Sequence, residues 1–301
     1  MKIILIAHIE NFEENREKLG WFIQELKELE RKLRKKIKIN WMLEEDETEP
    51  FKFEIRGKNR GDVISNGGDF FKELLKKRKQ DELGIHIHFI KNNKFDISYK
   101  SQKELISNAK KKFEDKFGYS PKSFVGGWWH SDKNTLKILK EGGFKVDASP
   151  MPLYKEKRKS WINLFGYLVL NPFKEVLVCD WSNFKRRVPF IKQGILIVPN
   201  SVNPNIDTID QKFLNFPETN ALYLDDIDKT LEKQVEIIKN FHKRKINIIT
   251  IPFHLHSMNK EKFKSSYILL KECDKINKIK FITLQELYND KKKILRNLEE
   301  H

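Results

Sequence analysis

Apolar and polar positions along the chain alternate between two periods. Ile3-Ile4-Leu5-Ile6-Ala7 is a continuous apolar run of strand length, and the strand is expected over Lys2 to Ala7. Leu19, Phe22, Ile23, Leu26, Leu29 and Leu33 then recur close to a 3.6-residue repeat, which predicts an amphipathic helix from Glu14 to Lys35. Ile37, Ile39 and Trp41 alternate with Lys38 and Asn40, predicting a second strand over Lys36 to Leu43. The acidic run Glu44-Glu45-Asp46-Glu47 follows and reads as a solvated loop, one of whose carboxylates could serve a site. Residues 48–68 carry Pro50 and four glycines and read as a loop with a short strand at Phe51 to Ile55.

The same alternation continues. A helix is expected from Asp69 to Lys79, and a strand ends in Gly84-Ile85-His86-Ile87-His88. Ser101 and Glu104 form a candidate capping box for a helix reaching Phe117. Ser123 to Val125 is a short strand, and Asp132 caps a helix over Lys133 to Glu141 that Gly142-Gly143 ends. Strands are expected at Phe144 to Val146, Val176 to Cys179, Ile195 to Val198, Asn247 to Phe253 and Lys278 to Ile282. Between them lie helices over Asp226 to Lys245 and Lys260 to Asp274, and a basic helix from Leu284 closes the chain. Strand–helix alternation implies a mostly parallel sheet with helices outside it. With about eight strands and right-handed crossovers, the expected fold is a closed or nearly closed α/β barrel forming one domain over 1–301.

Composition narrows this picture. The 301 residues can bury a sizeable core. The formal net charge is +16, but the lysines are spread along helices, as in Lys110-Lys111-Lys112, with no nucleic-acid motif beside them. A solvated basic surface is expected, which leaves room for anionic substrates or peripheral contact with a membrane. Two cysteines make no disulfide framework, and no apolar run has the ~18 residues of a membrane span. The first apolar run is too short for a secretory signal, so a cytoplasmic location is expected.

The histidines change the picture most. His8, His86, His88, His130, His254 and His256 all sit at or just beyond the C-terminal ends of expected strands; only His242 and His301 lie elsewhere. In α/β barrels that face gathers the catalytic groups. His86 and His88, two apart on a strand, share a face and make half of a candidate metal site. The alternative is a hydrogen-bonded pair at a strand end.

Pro121-Lys122-Ser123-Phe124-Val125-Gly126-Gly127-Trp128, followed by Asp132, Leu136, Leu139 and Gly143-Phe144-Lys145-Val146-Asp147-Ala148-Ser149, resembles the polysaccharide deacetylases. These are the NodB-homology proteins of carbohydrate esterase family four. Glu82-Leu83-Gly84-Ile85-His86 is similar to the family's "E-I-G-x-H" motif, and Asp180-Trp181 to the "D-W" of some relatives. Phe253-His254 resembles its late strand ending in a catalytic histidine, and Phe281-Ile282-Thr283-Leu284-Gln285-Glu286-Leu287 its closing segment. The resemblance spans nearly the whole chain. It implies a distorted (β/α) barrel and metal-dependent removal of an N- or O-acyl group from a sugar. Three positions depart from the family's pattern. Its "T-F-D-D" is replaced by Ala7-His8-Ile9-Glu10, the second histidine of its His-x-x-x-His by Ile90, and its usual arginine by Val125.

Under that resemblance Glu10, His86 and His88 would hold a divalent ion, zinc by preference. His8 would be a fourth ligand or a general base, and His254, or His256 on the same face, would protonate the leaving amine. Trp128 and Trp129 could stack on a sugar or pack in the core. His130, Asp147, Asp180 and Trp181 complete the candidate substrate contacts, with capping or packing as the alternative for Asp147 and the Asp180–Trp181 pair. The competing reading is a non-catalytic carbohydrate-binding or assembly module that kept the barrel without its metal chemistry.

Overall fold

The structure is a computed structural model that describes residues 1–45, 63–91, 94–153, 155–159, 175–181, 184–205, 221–224 and 231–299. The strand expected at Phe51 to Ile55 lies outside the described residues. In chain order the elements are β1 (Lys2–Ile9), α1 (Phe12–Leu33), β2 (Ile39–Glu44), α2 (Val63–Lys77), β3 (Glu82–Ile87), β4 (Ile90–Lys91), β5 (Lys94–Phe95), α3 (Tyr99–Phe117), β6 (Ser123–Gly126) and α4 (Lys133–Glu141). They continue with β7 (Val146–Asp147), β8 (Lys155–Lys159), β9 (Glu175–Asp180), β10 (Phe190–Lys192), β11 (Ile195–Ile197), α5 (Leu231–Lys243), β12 (Ile248–His254), α6 (Lys260–Ile276), β13 (Lys280–Phe281) and α7 (Leu284–Glu299).

The main sheet runs in the order β10-β11-β7-β6-β3-β2-β1-β12, with β13 also paired to β1. All its pairings are parallel except β10 with β11. The sheet curls into a distorted (β/α) barrel, as expected. The gap between β11 and β12 is spanned by isolated backbone bonds rather than a ladder. Ser201 N–H donates to the Thr250 carbonyl, and Leu224 N–H to that of Pro252. The closed ladder of a regular barrel is therefore absent among the described residues.

Strands β1, β2, β3 and β6 are buried along nearly their whole length, with core on both faces, which splits the core in two. Outward residues such as Leu5, Trp41, Ile85 and Ile251 pack under the helices with Phe22, Phe71 and Phe113. Inward residues Ile4, Ile6, Met42, Val125, Leu196 and Val198 fill the barrel and meet Leu284 and Leu287, which plug its lower end. The closing segment seats that plug through a capping box. Thr283 N–H donates to the Glu286 carboxylate at 2.9 Å, and Glu286 N–H to the Thr283 hydroxyl at 3.1 Å. Asn40, inside the barrel, accepts from Leu284 N–H at 2.8 Å.

Several boundaries differ from expectation for local reasons. The cap of α3 is Ser98, in extended backbone, whose hydroxyl accepts from Ser101 N–H at 3.3 Å; Ser101 itself is buried. Asp132 caps α4 as expected, with Thr135 closing the box. Helix α2 starts at Val63, well before Asp69, because Glu45 supplies its N-terminal acceptor. The Glu45 carboxylate takes Ile64 N–H at 3.1 Å and the Ser65 hydroxyl at 2.7 Å. Glu44 and Glu45 are thus buried, not solvated. No helix among the described residues is long and apolar enough to cross a membrane.

Candidate metal centre at the strand ends

Along the inner face of β1 the side chains change from Ile4 and Ile6 to His8 and Glu10. The period of two keeps all four on one face. The same change occurs on β2, from Met42 to Glu44, and on β3, from Gly84 to His86 and then His88 just beyond it. Parallel register sets His8 beside Met42 on one side and His254 on the other, and Glu44 beside His86. The top of the barrel is therefore a layer of imidazoles and carboxylates above an apolar one.

Glu10 stands at its centre. Its Oε1 lies 3.5 Å from His86 Nε2, 3.4 Å from His88 Nε2 and 3.9 Å from His254 Nε2, while Oε2 lies 3.8 Å from His256 Nδ1. The rings of His8 and His86 are 4.6 Å apart, and those of His8 and His254 4.9 Å. Outer partners orient two of the rings. His86 Nδ1 is 3.1 Å from the Val125 carbonyl and must donate to it, which leaves Nε2 as the acceptor nitrogen aimed at Glu10. His88 Nδ1 is 2.6 Å from the Glu44 carboxylate.

This arrangement fits a divalent ion. Ligands about 2.0–2.1 Å from a tetrahedral ion lie about 3.3–3.4 Å from one another, close to the spacing of the Glu10 oxygen from the two β3 imidazoles. His86 Nε2 and His8 Nε2 are buried with no hydrogen-bond partner among the described residues. The unprotonated His86 Nε2 next to the Glu10 carboxylate calls for a proton or a cation between them. Burial pushes the His8 and His86 imidazoles below their ordinary value, with neighbouring imidazoles adding to it. Burial opposes ionisation of Glu10, but His88, His86 and His254 outweigh it and hold its carboxyl well below the usual carboxylate range. An ionised Glu10 beside the His8 and His86 imidazoles, whose protonation burial disfavours, is the state that metal ligation requires.

The backbone turns sharply around these residues. Asn11, Phe89, Trp128 and Trp129 all have φ between 49° and 61°, in the left-handed region that side chains of this kind rarely adopt. Asn11 and Phe89 directly follow Glu10 and His88. Such strain costs of order 1–3 kcal/mol per residue and collects at functional sites. Asn15 steadies the first turn by donating to the Glu10 and Asn11 carbonyls at 2.7 and 2.9 Å. Gly127 admits His88: a Cβ there would lie 2.2 Å from the imidazole Cδ2.

The other candidate residues separate. Trp128 is half-buried with its ring 4.9 Å from that of His88, so it flanks the group. Trp129 is buried, packs on Met151 and Tyr223, and its carbonyl accepts from Trp181 Nε1 at 2.6 Å. The Trp129 ring also lies 5.4 Å from that of His8, so it both packs and borders the group, while Trp181 packs beside it. His130 is buried with its ring 5.2 Å from Phe89 and its Nε2 3.8 Å from Asp132, an interior position. Asp147 is fully buried and accepts from Ser131 Oγ at 2.5 Å and from Ser149 N–H at 2.9 Å, and also from the Ser149 hydroxyl. It ties turns together instead of facing a substrate. The Asp180 side chain lies outside what the structure describes. The sequence favours solvation for the acidic run after β2 and leaves a site role to one of its carboxylates as the alternative; Glu44, buried beside His88, fills that alternative place. A parallel strand covered on both sides has no solvent face, so the carboxylate at its end is buried at the top of the barrel.

No protein-family model matches the chain, and no curated protein matches its sequence. In structure it is similar to a candidate polysaccharide deacetylase from Mycobacterium smegmatis, with a TM-score of 0.51 at 8% identity over 96% of this chain and 89% of that one. The chain has the NodB-type fold of the polysaccharide deacetylases. Lower scores relate it to a CE4-family pseudoenzyme from Bacillus anthracis (0.49, 9% identity, 95% of this chain and 65% of that one). A family 4 acetyl xylan esterase from Clostridium thermocellum, in complex with a cobalt ion, scores 0.44 at 10% identity over 96% and 91%. The chain spans about two-thirds of the length of the B. anthracis protein. At these identities the likeness to NodB-type proteins is one of fold, and the reading of the site rests on its own residues.

Proposed function

We propose that this protein is a metal-dependent hydrolase that removes an acyl group, acetyl or formyl, from the nitrogen of a sugar. The observation that carries the reading is the buried Glu10 carboxylate with His86 Nε2 and His88 Nε2 converging on it at 3.5 and 3.4 Å. A barrel kept only for carbohydrate binding has no use for that assembly, which is costly to bury without a cation. Glu10, His86 and His88 would hold the ion. When bound, a divalent ion supplies a Lewis acid for the acyl carbonyl and brings the pKa of a water toward about 7.

The chain's own groups do the rest. Glu44 holds the His88 ring in place through Nδ1. His254 and His256, whose side chains are each 28% exposed, stand at the edge where a substrate can reach them and supply the proton that the leaving nitrogen needs. Trp128 offers an aromatic edge beside His88 for a sugar ring. The test is hydrolysis of N-acetylated and N-formylated sugars by tag-free protein, with metal content assayed in parallel. Turnover that needs a divalent ion and disappears in His86→Ala is expected. A protein that takes up no ion, or a His86→Ala variant that turns over substrate as the wild type does, sinks the reading.

A further inference from the structure

The donors at the barrel top outnumber what one ion uses. A catalytic zinc-like ion takes about three protein ligands and keeps a position open. Here Glu10 is surrounded by five imidazoles, those of His8, His86, His88, His254 and His256. Four of them sort by geometry, with Glu10, into two triads. The ligand atoms of Glu10, His86 and His88 lie within 4.8 Å of one another, and so do those of His8, Glu10 and His254. Glu10 alone belongs to both.

We propose that the site binds two divalent cations bridged by Glu10, the second held by His8, Glu10 and His254. The inference rests on the metal-dependent reading above and extends it. A carboxylate can bridge because its two oxygens offer about four lone-pair positions. The register of β1 with β12 pairs His8 directly with His254, so two adjacent parallel strands present both rings to the same face. His8 is the residue a one-ion site leaves unexplained. It is 3% exposed, and its Nε2 has no hydrogen-bond partner among the described residues. Such a nitrogen is costly to leave buried and unmatched, and a second ion removes that cost. Paired ions about 3.5–4 Å apart are a recurrent hydrolytic device. With His254 committed to the second ion, His256 becomes the proton donor.

The experiment titrates metal-free, tag-free protein with Co²⁺, counting bound ions by calorimetry and elemental analysis after desalting. Electron paramagnetic resonance of the loaded protein reports whether neighbouring ions couple. Two ions per chain, with coupled spins, are expected for the wild type. His8→Ala should bind one uncoupled ion, and so should His254→Gln, which alters a partly exposed side chain and keeps the test open if His8→Ala fails to fold. His256→Ala should keep both ions and lose turnover about 10²–10⁴-fold. Wild-type saturation at one ion overturns the second site and leaves the one-ion reading standing. Two ions retained in His254→Gln also overturn it. No ion at all overturns both readings.

Discussion

Two buried polar clusters lie at opposite ends of the same strands, and they are built on opposite principles. At the lower end, where β2 and β3 begin, Arg78 meets Asp81 and Glu30. Its Nε donates to Asp81 at 2.7 Å, and its Nη2 to the Ile37 carbonyl at 2.7 Å and to Glu30 at 3.3 Å. Asp81 also takes Trp41 Nε1 at 3.0 Å and Ile39 N–H at 3.1 Å, and Glu30 takes Ile37 N–H at 2.9 Å. Donors and acceptors are matched there. At the upper end Glu10 faces imidazoles that are acceptors as readily as donors, and the Nε2 atoms of His8 and His86 are unmatched among the described residues. The lower cluster is complete as protein; in the upper one the proposed cation would supply the partner that the unmatched nitrogens lack. Burial and rarity of charge do not distinguish them. The balance of donors does.

Breaking the complete cluster should have the largest effect. Arg78→Ala leaves Asp81 and Glu30 buried without their guanidinium, and removal of one partner of a buried pair costs about 3–5 kcal/mol. Urea denaturation should show that loss while ion uptake by the folded fraction is unchanged. A loss under about 1 kcal/mol would show that water replaces the guanidinium. Completing the other cluster should have the converse effect. Divalent ion at a thousandfold excess over its dissociation constant should stabilise the fold by about 4 kcal/mol, and chelation should reverse it. Arg78→Ala must not diminish that increment if the two ends are independent. A melting temperature indifferent to every divalent ion tested removes the contrast.

The sequence shows which residues gather at the upper end but not how the cluster is built. His8, Glu10, His86, His88, His254 and His256 are legible because strand periodicity fixes their face and parallel order gathers strand ends. The lower cluster is not legible. Arg78 and Asp81 flank a turn and look like surface charges until Glu30, from the far end of α1, and Trp41 close over them. Glu44 is hidden because an acidic run suggests solvent, although the sheet curls that face of β2 inward. Asp147 carries the residue type of a sugar site, yet its surroundings turn it to tying turns. The mostly parallel sheet with helices outside it is legible from alternation, whereas the irregular closure between β11 and β12 depends on single backbone bonds that have no periodicity to read.

Glu44 tests whether the upper cluster extends outward as the lower one does. Its carboxylate lies 2.6 Å from His88 Nδ1. Such outer partners typically contribute 10–100-fold to metal affinity, or about 1.4–2.7 kcal/mol. Glu44→Gln should therefore weaken binding of the first ion by that factor without changing the number of ions bound. Restoration by Glu44→Asp would separate simple charge from side-chain length. Affinity equal to the wild type in Glu44→Gln would make Glu44 a bystander.

Asp147 supplies the smallest and most discriminating test, because it is a buried carboxylate with neither guanidinium nor imidazole among its hydrogen-bond donors. Among the described residues, Ser131 and Ser149 donate to it. Burial pushes its carboxyl above the ordinary aspartate value, and those hydrogen bonds offset this only in part. The folded state therefore holds the proton more tightly than the unfolded one. The stability this contributes is full below about pH 3.8, the unfolded value, and is lost as pH rises through the folded value. Each unit of separation is worth about 1.4 kcal/mol. The side chain of an Asp147→Asn variant cannot ionise and escapes that loss, but its amide nitrogen cannot accept one of the serine bonds, which costs about 0.5–1.5 kcal/mol. In metal-free protein the variant should be the less stable near pH 4, and the difference should shrink or reverse toward pH 7. Paired urea denaturations across that range read the difference directly and cancel the titration of every other carboxylate. A gap that widens with pH would mean that two hydroxyls and one amide outweigh burial. Matched neutral donors would then suffice for a buried carboxylate, and the need for a cation at Glu10 would have to be argued from its unmatched imidazole nitrogens alone.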